Sequence, residues 1–295
     1  MFKAGFVTIT GQPNVGKSTL LNKLVGQKVS IISYKPQTTR NRIMGIVNVP
    51  NAQLVLIDTP GIHKPTTRLN KRMVDTAFNA LKGIDLILFM VDVKKTNGED
   101  QVILKKMKAF KTEMFLLINK VDLINKKELL PIINEYKNFH FFSEIIPISA
   151  TTGENLDVLL EELVKRLPEG VKYFPDDIVT DRPESFIVSE MIREQIINLT
   201  REELPYAVHV VIEEMKEDKE KNIINIEAII YVERSSQKGI IIGKGGQMIK
   251  QIGSRAREEI EAILDTKVYL DLRVNLKKDW RKRDNVLGNL GYKHD

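Results

Sequence analysis

Phe6-Val7-Thr8-Ile9-Thr10-Gly11-Gln12-Pro13-Asn14-Val15-Gly16-Lys17-Ser18-Thr19-Leu20-Leu21 holds the key to the chain. Five strand-favouring residues, Phe6 to Thr10, run straight into a glycine, and a helical pattern opens at Lys17. Between them, Gly11 to Ser18 fits G-x-x-x-x-G-K-[ST] in the strand-then-helix context that this motif needs. Its glycines let backbone N–H groups converge on phosphates, and the helix N-terminus adds its positive dipole end. Asn14, Val15 and Gly16 would form the cradle, with Thr19 following Ser18 into the helix. Lys17 would neutralise the β- and γ-phosphates and Ser18 would bind Mg2+. The motif alone specifies a nucleotide and leaves the base open.

Outward from this loop, short apolar strands alternate with helical patterns: 52–58, 85–92, 114–120 and 144–149 repeat the reading of 6–10. The alternation predicts an α/β domain with a mainly parallel sheet and crossover helices, its ligand site beyond the carboxyl ends of the strands. A helix is expected near 155–166. Pro168, Pro175 and Pro183 then break all periodicity, which predicts a nucleotide-binding first domain over 1–170, a linker over 171–183 and a second unit over 184–295. There the pattern reads helix (184–201), strands (206–216 and 223–233), helix, glycine loop and helix (236–264), strand (267–276) and a basic end. That is a smaller α+β domain. The 295 residues, 42% apolar, suffice for two packed cores. No apolar run approaches the ~18 residues of a membrane span, and the start lacks a signal-peptide pattern. The expectation is an unexported cytoplasmic protein. Absence of cysteine removes disulfides, thiol catalysis and thiolate metal sites, and four scattered histidines show no ligand spacing.

Three further strand ends narrow the chemistry. Asp58-Thr-Pro-Gly61 follows the phosphate loop by about 40 residues, where an aspartate can hold Mg2+ and a glycine amide can meet the γ-phosphate. Asn119-Lys120-Val121-Asp122 offers a carboxylate that can accept from guanine N1–H and its 2-amino group, donors that adenine does not present together. Lys120 can lay its stem over the ring, and Asn119 can reach the base edge or brace the loop. Ser149-Ala150 would supply a backbone N–H to guanine O6. Each motif alone is an ordinary turn or cap; four in this order, each at a strand end, select guanine nucleotides and a GTP-hydrolysing switch.

The second unit is not basic overall: 181–295 carries 20 Lys+Arg against 21 Asp+Glu, while 1–180 carries 25 against 18. Its charge is segregated instead. Arg234 to Arg257 holds six basic residues, among them Lys238, Lys244 and Lys250, and no acidic one. Inside that window Gly243-Lys244-Gly245-Gly246 forms a G-x-x-G loop between two helices, the device with which a KH domain clamps about four nucleotides. Ile240, Ile242, Ile249 and Ile252 are placed either to form a base-facing groove or to fill the core. Trp280, in the run Lys277 to Arg283, is expected to anchor a terminal helix, the charges around it facing solvent, rather than to stack on RNA.

These residues resemble the Era family of GTPases over almost the full chain: the five nucleotide motifs, the stretch Pro36-Gln37-Thr38-Thr39-Arg40 with Gly45, and the helix, strand, strand, helix, G-x-x-G, helix, strand order of a type II KH domain. Pro205-Tyr206, Val232-Glu233-Arg234 and Leu290-Gly291-Tyr292 strengthen the likeness. The resemblance implies GTP/GDP and Mg2+ as cofactors, with Thr39 on Mg2+ and the γ-phosphate, Thr38 its less favoured neighbour, and Lys17, Thr39 and Gly61 acting in hydrolysis. It implies K+ beside Asn14. The residue after Gly61 is Ile62, where Ras-like enzymes carry the water-positioning glutamine, so hydrolysis is expected to be slow without a partner. The implied partners are the 3′ end of small-subunit ribosomal RNA and the 30S-type subunit during late assembly, bound by a monomer. Peripheral association with the inner face of the cell membrane is also implied, although no amphipathic anchor stands out. The competing readings are an RNA-binding scaffold with a structural nucleotide, an ATPase or kinase, and a GTPase acting in tRNA modification or on the large subunit.

Overall fold

The computed structural model describes residues 1–94 and 98–292. The first domain runs β1 (Lys3–Gly11), α1 (Lys17–Val25), β2 (Ile43–Val49), β3 (Ala52–Asp58), α2 (Arg68–Asn79), β4 (Leu86–Asp92), α3 (Gly98–Met107), β5 (Glu113–Asn119), α4 (Lys126–Lys137), β6 (Glu144–Ile148) and α5 (Leu156–Arg166). Its sheet order is β2-β3-β1-β4-β5-β6. All neighbours are parallel except β2, which pairs antiparallel with β3.

Period-two alternation in β4 divides the core between two faces. Leu86, Leu88 and Met90 point toward α1 and α5, whereas Ile87, Phe89 and Val91 point toward α2, α3 and α4. Both faces are therefore covered, and the near-continuous apolar strands follow from that burial. Helix α1 stops at Gly26, whose φ of 84° closes the helix with a bond to the Asn22 carbonyl.

β2 escaped the sequence reading, which assigned this stretch only a loop motif around Gly45. It reverses into β3 through Pro50-Asn51, with Asn51 at φ 62°, a conformation asparagine tolerates. Gly45 lies on this strand, where a Cβ would sit 2.6 Å from Val25 and 2.7 Å from Leu21. Its missing side chain thus lets α1 close onto the sheet.

The second domain contains α6 (Glu184–Leu199), α7 (Leu204–Ala207), β7 (His209–Asp218), β8 (Ile223–Val232), α8 (Ser235–Ile242), α9 (Gln247–Leu264), β9 (Lys267–Leu276) and α10 (Asp284–Asn289). β7 and β8 are antiparallel, β8 and β9 parallel. Ile192, Ile196, Ile252, Ala256 and Ile260 pack against Ile226, Ala228 and Ile230 to make its core. The strand expected from 206 begins at His209, because Leu204–Ala207 coils into α7.

The proline-broken stretch is strapped to the first domain. The Ile46 N–H donates to the Val179 carbonyl, and Gln53 exchanges hydrogen bonds with the backbone of Tyr173 and Phe174. Phe6 and Tyr173 meet ring to ring at 4.8 Å.

Candidate nucleotide site and nucleic-acid interface

A cavity of about 320 Å3 opens beyond the carboxyl ends of β1 and β3, lined by Asn14, Gly16 to Thr19, Thr38, Thr39, Gly61 and Lys120 together with Tyr34 and Gln37. The loop needs its glycines: Gly11 and Gly16 have φ of 144° and 107°, and a Cβ at Gly16 would overlap the Asn119 amide. Gly61 approaches the Pro13 backbone so closely that a Cβ would lie 2.7 Å from it. The Ile62 N–H donates to the Gly11 carbonyl, fastening this turn to the phosphate loop.

Lys17 is buried, with its ammonium 2.8 Å from the Gln12 carbonyl. Burial brings its pKa down to about 8, an effect that the nearby Asp58 carboxylate partly opposes. Asp58 is fully buried, and the same desolvation pushes its carboxyl upward against the pull of Lys17. Ser18 Oγ donates to Asp58 Oδ2 at 2.6 Å and lies 2.9 Å from Thr39 Oγ1. Ser30 Oγ reaches the same carboxylate oxygen at 3.1 Å. Asp58 Oδ1 is buried without a hydrogen-bond partner. Clustered hydroxyls, a buried carboxylate and an orphaned oxygen are the hard donor set that Mg2+ takes, keeping waters and phosphates for its other positions. No group of three or more His, Cys, Asp or Glu among the described residues could hold a metal by itself. The sequence pattern missed Ser30, because its only signal is spatial.

Thr38 and Thr39 are both buried but face different ways: Thr38 Oγ1 donates to the Lys35 carbonyl at 2.7 Å, leaving Thr39 at Ser18 and Asp58. Ile62 sits in the apolar layer beneath α2 and α3, so its side chain is turned into the core.

At the base end, Asn119 acts as a brace. Its Nδ2 donates to the Val15 carbonyl at 2.7 Å and its Oδ1 accepts from the Ala150 N–H at 2.9 Å. The N–H expected to meet guanine O6 is thus engaged with Asn119 here. Ser149 closes its own turn by accepting from the Thr152 N–H. Lys120, at φ 68°, pairs with Asp92 at 2.6 Å and donates to the Asn14 carbonyl at 2.9 Å, which stretches its stem across the cavity wall. Asp122 lies on the next turn with its carboxylate exposed. Asn14, at φ 65°, donates through Nδ2 to the Tyr34 carbonyl.

In the second domain Gly243, Gly245 and Gly246 all take positive φ between α8 and α9, and Lys244 and Lys250 are exposed while Lys238 is half-buried. Ile252 is core and Ile242 and Ile249 pack against it, whereas Ile240 is 53% exposed. A groove of about 310 Å3 runs between α9 and β9, lined by Ile249, Lys250, Arg257, Tyr269 and Leu272. Tyr269 was not singled out from sequence, although an aromatic at an outward strand position is a stacking candidate.

The two domains meet at the switch segment. Arg40, next to Thr39, inserts its guanidinium among the carbonyls of Val208 (2.6 Å), Tyr206 (3.0 Å) and Pro205 (3.2 Å) and lies 5.7 Å from the Trp280 ring. Arg193, on α6, donates to the Thr38 carbonyl at 2.6 Å. Lys28 pairs with Glu194 and Glu259, and Lys35 donates to the carbonyls of Ile197 and Thr200. On the other side, Leu69 and Met73 of α2 pack with Trp280, Leu287 and Tyr292. Trp280 is fully buried, its Nε1–H donating to the Ala207 carbonyl at 2.9 Å, so it anchors the end segment and stacks on no RNA. Arg281 is paired with Glu233 at 2.6 Å rather than facing solvent.

This arrangement defines a P-loop GTPase domain whose switch regions are packed against a type II KH domain. A family model described as 50S ribosome-binding GTPase matches residues 6–120, and one described as KH domain matches 203–281. GTPase Era of Syntrophus aciditrophicus is 52% identical over 99% of this chain and 96% of its own, and that of Geobacter metallireducens is 53% identical over 99% and 98%. A crystal structure of Era in complex with MgGDPNP and nucleotides 1506–1542 of 16S ribosomal RNA is similar at TM-score 0.96 and 45% identity, covering 99% of both chains. A variant of Aquifex aeolicus Era bound to GDP·AlF4− is similar at TM-score 0.95 and 45% identity, also over 99% of each chain. The chain belongs to the Era family of GTPases.

Proposed function

We propose that this protein is a Mg2+-dependent GTP-hydrolysing switch that binds the 3′ end of small-subunit ribosomal RNA through its KH domain and acts in assembly of that subunit. The observation that carries the reading is full-length likeness, both domains and their junction included, to Era holding MgGDPNP and a 16S fragment together. The GTPase family description alone would leave the large subunit open; the KH domain and its G-x-x-G loop favour the small one. Bases would stack in the groove beside Tyr269, with phosphates on the Gly243–Gly246 loop and Lys244.

Single-turnover hydrolysis of GTP, with and without an oligonucleotide of the 16S 3′ end, tests this. GTP must be lost in both, faster with RNA; a chain that holds GTP indefinitely under either condition is a scaffold. Asp122→Asn replaces an acceptor with a donor and should move preference from GTP toward xanthosine triphosphate. Unchanged GTP affinity in that variant would remove the guanine assignment.

We further infer a cytoplasmic monomer. Attachment to the inner face of the membrane would have to be peripheral, since no helix among the described residues is long and apolar enough to cross a bilayer. Fractionation and sedimentation of the purified chain test both points.

A further inference from the structure

A second cavity of about 210 Å3, which shares no lining residue with the nucleotide cavity, lies where both domains and the connecting strap meet. Its lining draws Arg40 and Arg42 from the switch segment, Arg72 from α2, Arg182 from the strap and Tyr292 from the chain's end. The lining brings four arginines to one carboxylate, Asp181, while Asp284, outside the lining, is paired with Arg72. Arginine cannot shed its proton, so such a cluster keeps its charge at every physiological pH.

The existing partners answer only part of that charge: Arg72 pairs with Asp284 at 3.0 Å and donates to the Tyr292 carbonyl. Arg40 is held by backbone carbonyls and by no carboxylate. Arg182 donates to the Arg42 carbonyl and lies 3.7 Å from Asp181. The Nε–H groups of both Arg72 and Arg182 are buried with no hydrogen-bond partner, and the Arg42 side chain makes no hydrogen bond or ion pair among the described residues. Buried donors of this kind are costly when left unmet. A group with several anionic oxygens would meet them together, since guanidinium forks match phosphate.

The cavity also has a neighbour. A second space of about 310 Å3 shares Asn41, Arg182 and Gly291 with it and presents the Phe186 ring beside Ser185 and Ser189. The geometry points to a binding site for a small phosphorylated molecule at the domain junction, its phosphate among Arg40, Arg42, Arg72 and Arg182 and any organic part in the adjoining space. The site lies outside the nucleotide cavity and the KH groove, so its failure would leave the GTPase reading untouched.

The test uses the full chain saturated with MgGDPNP, which fills the γ-phosphate position, and titrates inorganic phosphate or ribose 5-phosphate by calorimetry. Saturable binding that weakens with ionic strength is expected, about tenfold weaker in Arg42→Ala and in Arg182→Ala. Tighter binding of ribose 5-phosphate than of phosphate would identify an organic ligand reaching the second space, and the reverse order an inorganic one. Arg42→Ala should keep the wild-type melting temperature and GDPNP affinity, because its side chain holds nothing in place. No heat beyond dilution, or equal binding by both variants and the wild type, overturns the proposal. So does a fall in RNA affinity in Arg42→Ala with neither phosphate probe binding, which would make this surface an RNA contact.

Discussion

Lys17 holds a positive charge where burial has already brought its pKa down to about 8 from the ordinary 10.5. A phosphate beside it favours the charged form and restores the higher value. The sign follows: above about pH 8 the empty site has lost the proton that the filled site keeps, so nucleotide binding takes up a proton. Calorimetry in buffers of different ionisation enthalpy should show uptake growing between pH 7.5 and 9 and vanishing below pH 7, with affinity falling at most about tenfold per pH unit. An affinity independent of pH across that range would contradict it. Asn14 offers a second prediction at this scale. Its Nδ2 is spent on the Tyr34 carbonyl, so a K+ ion beside the nucleotide would have Oδ1 as its donor. Turnover should be faster in K+ than in Na+ at equal ionic strength, and equal rates would dismiss the ion. The convergence of Lys17, Ser18 and Asp58 on one cluster was legible in the sequence from their motifs. Roles set by direction were not: Asn119 could brace or bind, and only the folded loops show it spanning Val15 and Ala150.

Among the elements, the switch segment has the most telling position, because adjacent residues serve different domains. Thr39 meets Ser18 and Asp58 while Arg40 is caged by the carbonyls after α7. Were Thr39 to move with the γ-phosphate, Arg40 would carry that movement to the KH domain. Arg40→Ala should leave GTP affinity near wild type while collapsing the difference in RNA affinity between the GDPNP and GDP states, a coupling of about 1–3 kcal/mol in typical switches. Arg40→Lys should not restore it, since an ammonium cannot reach three carbonyls in one plane. An RNA affinity ratio unchanged from wild type in Arg40→Ala would show that the relay runs elsewhere. Most elements could be placed from periodicity alone, the second-domain strands and helices to within a few residues. β2 could not, because its apolar residues read as part of a loop motif and its pairing depends on a turn at Pro50-Asn51. The strap was equally hidden: prolines predict irregular chain, and hydrogen bonds to Gln53 and Ile46 are invisible until the sheet edge exists.

For the molecule as a whole, the domain seam is lined with charge around a neutral imidazole. His209 donates to or accepts from the Tyr292 hydroxyl at 3.0 Å, and burial, reinforced by Arg40 and Arg193, lowers its pKa to about 3. Because the folded value lies below the ordinary 6.5, the folded protein binds fewer protons than the unfolded chain in acid. Stability is full above pH 6.5 and declines as pH falls toward 3. Melting curves should drop between pH 6.5 and 5, and His209→Gln should lose part of that dependence; an identical pH profile in the variant would refute the assignment. The chain has one tryptophan, Trp280, and it sits at this seam with His209 at 5.6 Å, Tyr292 at 6.0 Å and the Arg40 guanidinium overhead. A single intrinsic fluorophore thus sits on the seam between the domains: its emission wavelength and quenching by iodide would report, without any label, any parting of the two as nucleotide and RNA are added.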